Sequence, residues 1–178
     1  MIPIAVILGI GIGFGQSSKA GENHRKHPPA KAPVVSADTK HVEVRATLSD
    51  IEVTPGARIA VAVDITPKAR MHVYAPGAKY IPVTLQIQPQ PFVKAHDVAY
   101  PPAEDYFFEP LNEHAQVYSK PFRLVLDVTI GEVSDQKMSA PMPSRLTLKG
   151  TLDYQACDDR FCYLATSVPL QWTVKIKR

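Results

Sequence analysis

Alternating apolar and polar residues dominate the chain from His41 onward. Six segments place apolar side chains at every second position: 41–48, 58–66, 82–88, 122–130, 145–156 and 168–176. This period of two is typical of β-strands with one buried and one solvated face. Proline and glycine clusters separate the segments, as at Pro55-Gly56 and Pro76-Gly77, and such pairs mark turns. The pattern therefore predicts about seven to nine short strands joined by turns.

No convincing run of helical period accompanies these segments, so no helices are expected to connect parallel strands. Strands without crossover helices form antiparallel layers, and we predict an all-β fold, an immunoglobulin-like antiparallel β-sandwich over residues 42–178. Antibody domains order their residues Cys…Trp…Cys, whereas Trp172 follows both cysteines here. The antibody type of inter-sheet disulfide is therefore excluded.

Composition agrees with a single β domain. The 178 residues include 17 prolines, nearly twice the usual share of about 5%, which disfavours a helical bundle. Two cysteines are too few for a disulfide scaffold or for a zinc site built from cysteines alone.

The N-terminal end has a different character. Residues 2–14 are uninterrupted apolar or glycine positions, a run too short for a typical membrane-spanning helix of about 20 residues. We interpret residues 1–15 as a signal peptide or a short membrane anchor, the alternative being a buried strand. Residues 16–41 are polar, basic and rich in Pro, Ala and Lys, so we predict a disordered linker. The domain is then expected to be periplasmic or otherwise extracytoplasmic, with a possible membrane tether.

The net charge of +3 also belongs to this linker. Residues 16–41 carry five basic and two acidic residues, whereas residues 42–178 carry fifteen of each. A domain that binds nucleic acid is expected to show a basic face of its own. The sequence therefore predicts no nucleic-acid partner.

The two cysteines, Cys157 and Cys162, lie in the segment ACDDRFCY with four residues between them. An extracytoplasmic location permits a disulfide, and closing so short a ring stabilises a fold by only about 2 kcal/mol. Spacing alone leaves three readings: a redox-active pair, a structural staple, or part of a zinc site with Asp158 and Asp159. The two aspartates oppose thiolate formation and Arg160 favours it, so exchange would depend on docking of a partner.

A family resemblance appears at these residues. The stretch GTLDYQACDDRFCYLATSVPL, residues 150–170, resembles the cysteine region of the N-terminal periplasmic domain of the disulfide reductase DsbD. Two further stretches resemble other parts of that domain: MHVYAPGAKYIPVTLQI, residues 71–87, and YPPAEDYFFEPLNEHAQVYSKPFRL, residues 100–124. The resemblance spans roughly residues 42–176.

The resemblance implies an immunoglobulin-like domain that relays electrons between thioredoxin-like proteins or domains, with no cofactor. Cys162 would form the mixed disulfide with a partner, and Cys157 would resolve it. An aromatic side chain of an acidic loop would cap the pair. The members of this predicted cap and site lining are Phe107 as first choice, Phe108 as second, and Tyr106, Asp105, His72 and Tyr74.

Two other functions remain open at this point. The domain could be a non-catalytic sandwich that binds a protein and uses its disulfide only as a staple. Alternatively, Met71-His72 and Met138 with Met142 are soft ligands suited to copper, although they are scattered along the chain. No nucleophile-elbow motif and no glycine-rich phosphate loop is present.

Overall fold

The computed structural model describes residues 35–109, 112–131 and 141–177. Within these ranges the chain forms thirteen strands and no α-helix. They are β1 Val35–Asp38, β2 Val42–Leu48, β3 Glu52–Val53, β4 Arg58–Pro67, β5 His72–Tyr74, β6 Thr84–Ile87, β7 Val93–Ala99, β8 Glu104–Phe108, β9 Glu113–Tyr118, β10 Phe122–Ile130, β11 Arg145–Tyr154, β12 Ala156–Cys157 and β13 Thr166–Ile176.

The strands form three sheets. Sheet A has the order β1-β2-β4-β10-β7, sheet B has the order β3-β13-β11-β6, and sheet C has the order β12-β5-β9-β8. Neighbouring strands are antiparallel apart from β3, which pairs in parallel with β13. The predicted all-β, immunoglobulin-like antiparallel sandwich is confirmed.

The core lies between sheets A and B because both sheets turn their apolar positions toward each other. Along β4 every second side chain is buried, from Ile59 to Ile65, and along β13 Leu170, Trp172 and Val174 are buried in the same way. These residues form one cluster with the inward positions of β2, β10 and β11. Burial on this scale is the main source of stability for a domain of this size.

The two faces of sheet C belong to two different buried clusters. Val73, Tyr118 and Ala156 of this sheet belong to the main core. Tyr74 and Cys157 lie one position further along β5 and β12 and belong to a second, small buried cluster. Since side chains alternate across a strand, one face of sheet C completes the sandwich and the other carries the cysteines.

The structure corrects the predicted start of the domain. Strand β1, Val35–Asp38, pairs with β2 in antiparallel register, although residues 16–41 were predicted to be a disordered linker. Alternation over only four half-exposed residues is too weak a signal to separate from the polar tract before it. The predicted signal or anchor at 1–15 and the remainder of the linker lie outside the described residues.

The number of strands was also predicted too low. All six alternating segments contain strands, but β3, β5 and β12 have two or three residues, and β7 is half-exposed along its length. The predicted acidic-aromatic loop is strand β8, Glu104–Phe108, which pairs with β9. No helix of the described residues has the length and apolar content needed to cross a membrane.

Candidate functional site

Cys157 and Cys162 form a disulfide at the edge of sheet C. Cys157 ends β12 and is paired with His72 of β5, whereas Cys162 follows a tight loop, with 4.0 Å between the two Cα atoms. Cys157 is only 1% exposed, but Cys162 is exposed to solvent. An incoming thiol can therefore reach one residue of the pair and not the other.

Asp158 shapes the loop between the cysteines. Its Oδ1 atom accepts hydrogen bonds from the backbone N–H groups of Arg160 and Phe161, at 2.8 and 2.7 Å. Its Oδ2 atom accepts a third from the hydroxyl of Tyr163, at 2.8 Å. These donors hold the pKa of Asp158 below its usual value, the two backbone groups contributing most. The side chain thus folds the short loop in the way typical of an Asx-turn and presents Cys162 outward.

The hydroxyl of Tyr74 lies 3.5 Å from the Sγ atoms of both Cys157 and Cys162. Sulfur in a disulfide carries no hydrogen, so the hydroxyl is the donor. Burial raises the pKa of Tyr74 to about 12, and nearby Tyr80, Tyr106 and Glu113 act in the same direction. Tyr74 therefore keeps its proton at neutral pH and can donate it as a hydrogen bond to either sulfur.

An aromatic row continues from Tyr74 along the same face. Tyr80 stacks on Tyr74 with 4.5 Å between ring centroids, and its hydroxyl donates to Glu113 Oε2 at 2.6 Å. On the other side, the His72 ring lies 5.7 Å from Tyr74 and 4.6 Å from Tyr106. Burial lowers the pKa of His72, although the carboxylates of Asp159 and Asp158 oppose the shift.

Tyr106 joins β8 to the cysteine loop. Its hydroxyl donates to Asp159 Oδ1 at 3.2 Å, and its ring packs in the small cluster that contains Tyr74 and Cys157. Burial, followed by the hydrogen bond and the charges of Asp159 and Asp158, raises the pKa of Tyr106. The aromatic side chain that the structure places against the cysteine loop is thus Tyr106.

Phe107 and Asp105 point to the opposite face of β8. The Phe107 ring is 46% exposed and packs on His114 at 4.9 Å, and Asp105 accepts hydrogen bonds from His114 and Gln116. Phe108 is half-buried on the Tyr106 side, at the end of the strand. Phe107, the first choice for the cap, therefore faces away from the cysteine loop and Tyr106 faces it, because alternation along a strand sends neighbouring side chains to opposite faces.

Two contacts at the site were not foreseen from the sequence. His41, which was placed in the linker, is 93% buried and stacks on Tyr163 at 4.3 Å, with Lys40 Nζ 5.3 Å from the same ring. Asp159 was considered as an opposing charge and as a zinc ligand, whereas in the structure it accepts a hydrogen bond from Tyr106. Neither contact has a local sequence signal, since each joins segments more than fifty residues apart.

Metal-ligating residues do not gather in the described part of the chain. Among residues 35–109, 112–131 and 141–177, no three His, Cys, Asp or Glu side chains are placed to share a metal ion. Met142 packs against the main core, and Met71 lies beside the cysteine loop. Met138, the remaining member of the copper hypothesis, lies outside the described residues.

Fold and site together describe a β-sandwich domain with a disulfide that is accessible from one side. Residues 33–169 match the family model of the N-terminal region of the thiol:disulfide interchange protein DsbD. This match covers most of the chain, so the protein belongs to that family, and the predicted resemblance is confirmed. Its cysteine pair is in bonding contact in the structure. No curated protein sequence matches it significantly.

One solved structure supports the fold. The N-terminal periplasmic domain of ScsB from Proteus mirabilis superposes with a TM-score of 0.54 at 15% identity, covering 79% of this chain and 50% of that chain. The present chain thus spans about half the length of that structure. The yeast GGA1 GAE domain has a TM-score of 0.39 at 8% identity, covering 78% and 96% of the two chains.

Proposed function

We propose that this domain relays reducing equivalents in an extracytoplasmic compartment, through exchange at Cys157–Cys162 between thioredoxin-like proteins. The observation that carries the proposal is the asymmetry of the pair, in which exposed Cys162 is bonded to buried Cys157 next to a hydroxyl donor. The periplasmic origin of the ScsB domain supports the proposed compartment.

The chemistry follows from that asymmetry. A thiolate of the reduced partner attacks Sγ of Cys162, the disulfide breaks, and the electron pair of the broken bond remains on Sγ of Cys157. The Tyr74 hydroxyl, 3.5 Å away, donates a hydrogen bond to this buried thiolate. A second thiol of the partner then releases Cys162, which leaves the partner oxidised and the domain as a dithiol.

In the second half-reaction, the reduced domain passes its electrons to the next protein through the same two sulfur atoms. The Cys162 thiolate attacks a disulfide of the next protein and forms a mixed disulfide. Cys157 then attacks Cys162, regenerates the internal disulfide and releases the reduced protein. Without a stabilised charge on Cys157 both half-reactions would be slower, because a buried unpaired thiolate is costly.

We expect the reduction potential of the pair to be about −230 mV, a value within the range of thioredoxin-like proteins. The purified domain would be equilibrated in dithiothreitol redox buffers, alkylated and weighed by mass spectrometry to count its free thiols. A potential below about −300 mV, typical of structural disulfides, would contradict the relay. The domain would then be a protein-binding module with a disulfide staple.

Tyr106, in this proposal, limits access to the disulfide until a partner displaces β8. We expect Tyr106→Ala to accelerate reduction by dithiothreitol about threefold to tenfold, the factor associated with one lost hydrogen bond and its packing. Stopped-flow tryptophan fluorescence or quenched alkylation can follow the rate at constant pH.

Phe107→Ala is the matched control for this variant, since the neighbouring side chain faces away from the disulfide. Its rate should equal that of the unmodified protein. Equal acceleration by both variants would refute the role of Tyr106 and would indicate general loosening of β8. Tyr106→Phe separates the ring from the hydrogen bond to Asp159.

A further inference from the structure

Tyr163, the residue after Cys162, fastens the cysteine loop at three points. Its N–H group donates to the carbonyl of Ala156 at 2.9 Å, and its own carbonyl accepts a hydrogen bond from Gln155 Nε2 at 3.0 Å. Its hydroxyl donates to Oδ2 of Asp158, the carboxylate that folds the loop. None of these three hydrogen bonds involves a sulfur atom. They are therefore available to hold the loop in the dithiol as well as in the disulfide.

The ring of Tyr163 packs against residues 39–41, the turn that joins β1 to β2. The His41 ring stacks on it with 4.3 Å between centroids and 30° between planes, and Lys40 Nζ lies 5.3 Å from the same ring. His41 is only 7% exposed, and Tyr163 is half-buried. The start of the domain thus supports the loop that carries Cys162.

This turn is fixed to the main sandwich. The carbonyl of His41 accepts a hydrogen bond from the N–H group of Lys68, the residue after β4, at 2.9 Å. Its N–H group donates to Thr39 Oγ1 at 3.3 Å. The same oxygen lies 2.8 Å from the hydroxyl of Tyr154, a residue of β11 and of the main core. The position of His41 is therefore set by the sandwich and not by the cysteine loop.

The His41 side chain has no polar task in this arrangement. Its Nε2 atom is buried and has no hydrogen-bond partner among the residues that the structure describes. Burial, followed by the charges of Lys40 and Lys68, lowers the pKa of His41, so the ring is uncharged at neutral pH. The side chain therefore contributes a flat, neutral surface on which the Tyr163 ring lies.

The disulfide and this stack restrain the same loop. In the oxidised domain the covalent bond keeps the Cα atoms of Cys157 and Cys162 4.0 Å apart. Once that bond is broken, the separation of the two sulfurs depends on noncovalent contacts such as those of Tyr163. Loss of the stack is therefore expected to alter the reduced domain more than the oxidised one.

We propose that His41 is a positioning residue for the exchange reaction, which keeps Cys162 close to Cys157 after reduction. This inference rests on the proposed exchange function and specifies how its second half-reaction is assisted. In that step the Cys157 thiolate attacks Sγ of Cys162 in the mixed disulfide. The internal disulfide forms, and the sulfur of the other protein leaves with the electron pair. By holding Tyr163, His41 raises the effective concentration of one cysteine at the other.

His41→Ala tests this role. Each purified protein is equilibrated in dithiothreitol redox buffers, alkylated and weighed by mass spectrometry to count its free thiols. We expect the equilibrium constant for forming the internal disulfide to fall about threefold to tenfold in the variant, because a freer loop lowers the effective concentration of Cys162 at Cys157. The measurement is made under conditions in which urea denaturation shows the variant to be folded.

His41→Phe separates positioning from general stability. Phenylalanine keeps a flat ring and removes the unpartnered Nε2 atom, so this variant is expected to be as stable as the unmodified domain and to retain its equilibrium constant. His96→Ala is the matched control, since His96 is a half-buried histidine of β7 in sheet A, where its Nε2 lies 2.8 Å from Thr129 Oγ1. It is expected to lower the free energy of unfolding without changing the equilibrium constant. Equal shifts in His41→Ala and His96→Ala would reduce the effect to lost stability and refute the role of His41.

A double-mutant cycle shows whether His41 acts through Tyr163. If it does, the His41→Ala/Tyr163→Ala double variant has the equilibrium constant of Tyr163→Ala alone, because the stack is already lost in the single variant. Additive effects of the two changes would overturn the proposal. So would an equilibrium constant of His41→Ala within about twofold of the unmodified value, too small for the expected loss of effective concentration.

The unmodified protein keeps this test separate from the exchange function. If its potential lies in the range of thioredoxin-like proteins and His41→Ala leaves it unchanged, the positioning role fails and the relay stands. If its potential is as low as that of a structural disulfide, the relay fails, and the positioning role fails with it.

Discussion

Cys157→Ser is expected to accumulate a mixed disulfide with a thioredoxin-like protein, whereas Cys162→Ser accumulates none. In the first variant the remaining thiol, Cys162, is exposed and has lost the residue that would resolve the adduct. In the second the remaining thiol, Cys157, is 1% exposed and lies beneath the loop. We expect nearly complete adduct formation by Cys157→Ser and none by Cys162→Ser, because a mixed disulfide persists when no second thiol can resolve it.

A defined partner makes this experiment decisive. Purified thioredoxin whose resolving cysteine is replaced by serine is activated as a mixed disulfide with thionitrobenzoate and mixed with each variant. Adducts are then quantified on non-reducing gels and by mass spectrometry. The Cys157→Ser/Cys162→Ser double variant gives the background. Equal adduct from the two single variants would contradict the assigned roles of the cysteines.

Gly150→Val is expected to destabilise the domain by about 3 kcal/mol or more, although valine is favoured in strands. Gly150 lies in β11 between β13 and β6, where a Cβ atom would stand 2.7 Å from the carbonyl oxygen of Gln86. It would also meet Ile87 Cδ1 at 3.1 Å and Trp172 Cζ3 at 3.3 Å. Relief requires the backbone of β6 to move, which costs pairing with β11.

Urea denaturation followed by tryptophan fluorescence measures this loss. Thr151→Val is the control, since it introduces the same side chain one position along β11 on a half-exposed face. That variant should remain within about 0.5 kcal/mol of the unmodified domain. A free energy of unfolding for Gly150→Val that matches the control would show that β6 yields readily to the added atoms.

The sandwich was predictable because its signal is local. Each long strand repeats one alternation several times, so β4, β10, β11 and β13 are recognisable without knowledge of their partners. Strands such as β5 and β12 have two or three residues and are defined by the neighbours that they pair with. No pattern within such a short segment specifies that pairing.

The candidate site, too, was predictable only where the signal is local. Cys157 and Cys162 could be proposed from spacing and family resemblance, and His72 and Tyr74 do lie beside them. Which aromatic side chain faces the cysteine loop depends on the register of β8, because a shift by one residue exchanges Tyr106 for Phe107. That register is fixed by pairing with β9, in which Phe107 stands opposite His114. Sequence reasoning without the pairing could not decide between the two aromatics.

Sheet C separates the cysteine pair from the main hydrophobic core. Its inner face shares Val73, Tyr118 and Ala156 with the large cluster, while Tyr74, Val117 and Cys157 form a buried cluster of their own on the outer face. Repeated making and breaking of the sulfur bond would therefore disturb only a thin outer layer. In the proposed exchange, the packing of the main core would therefore be the same in the oxidised and the reduced domain.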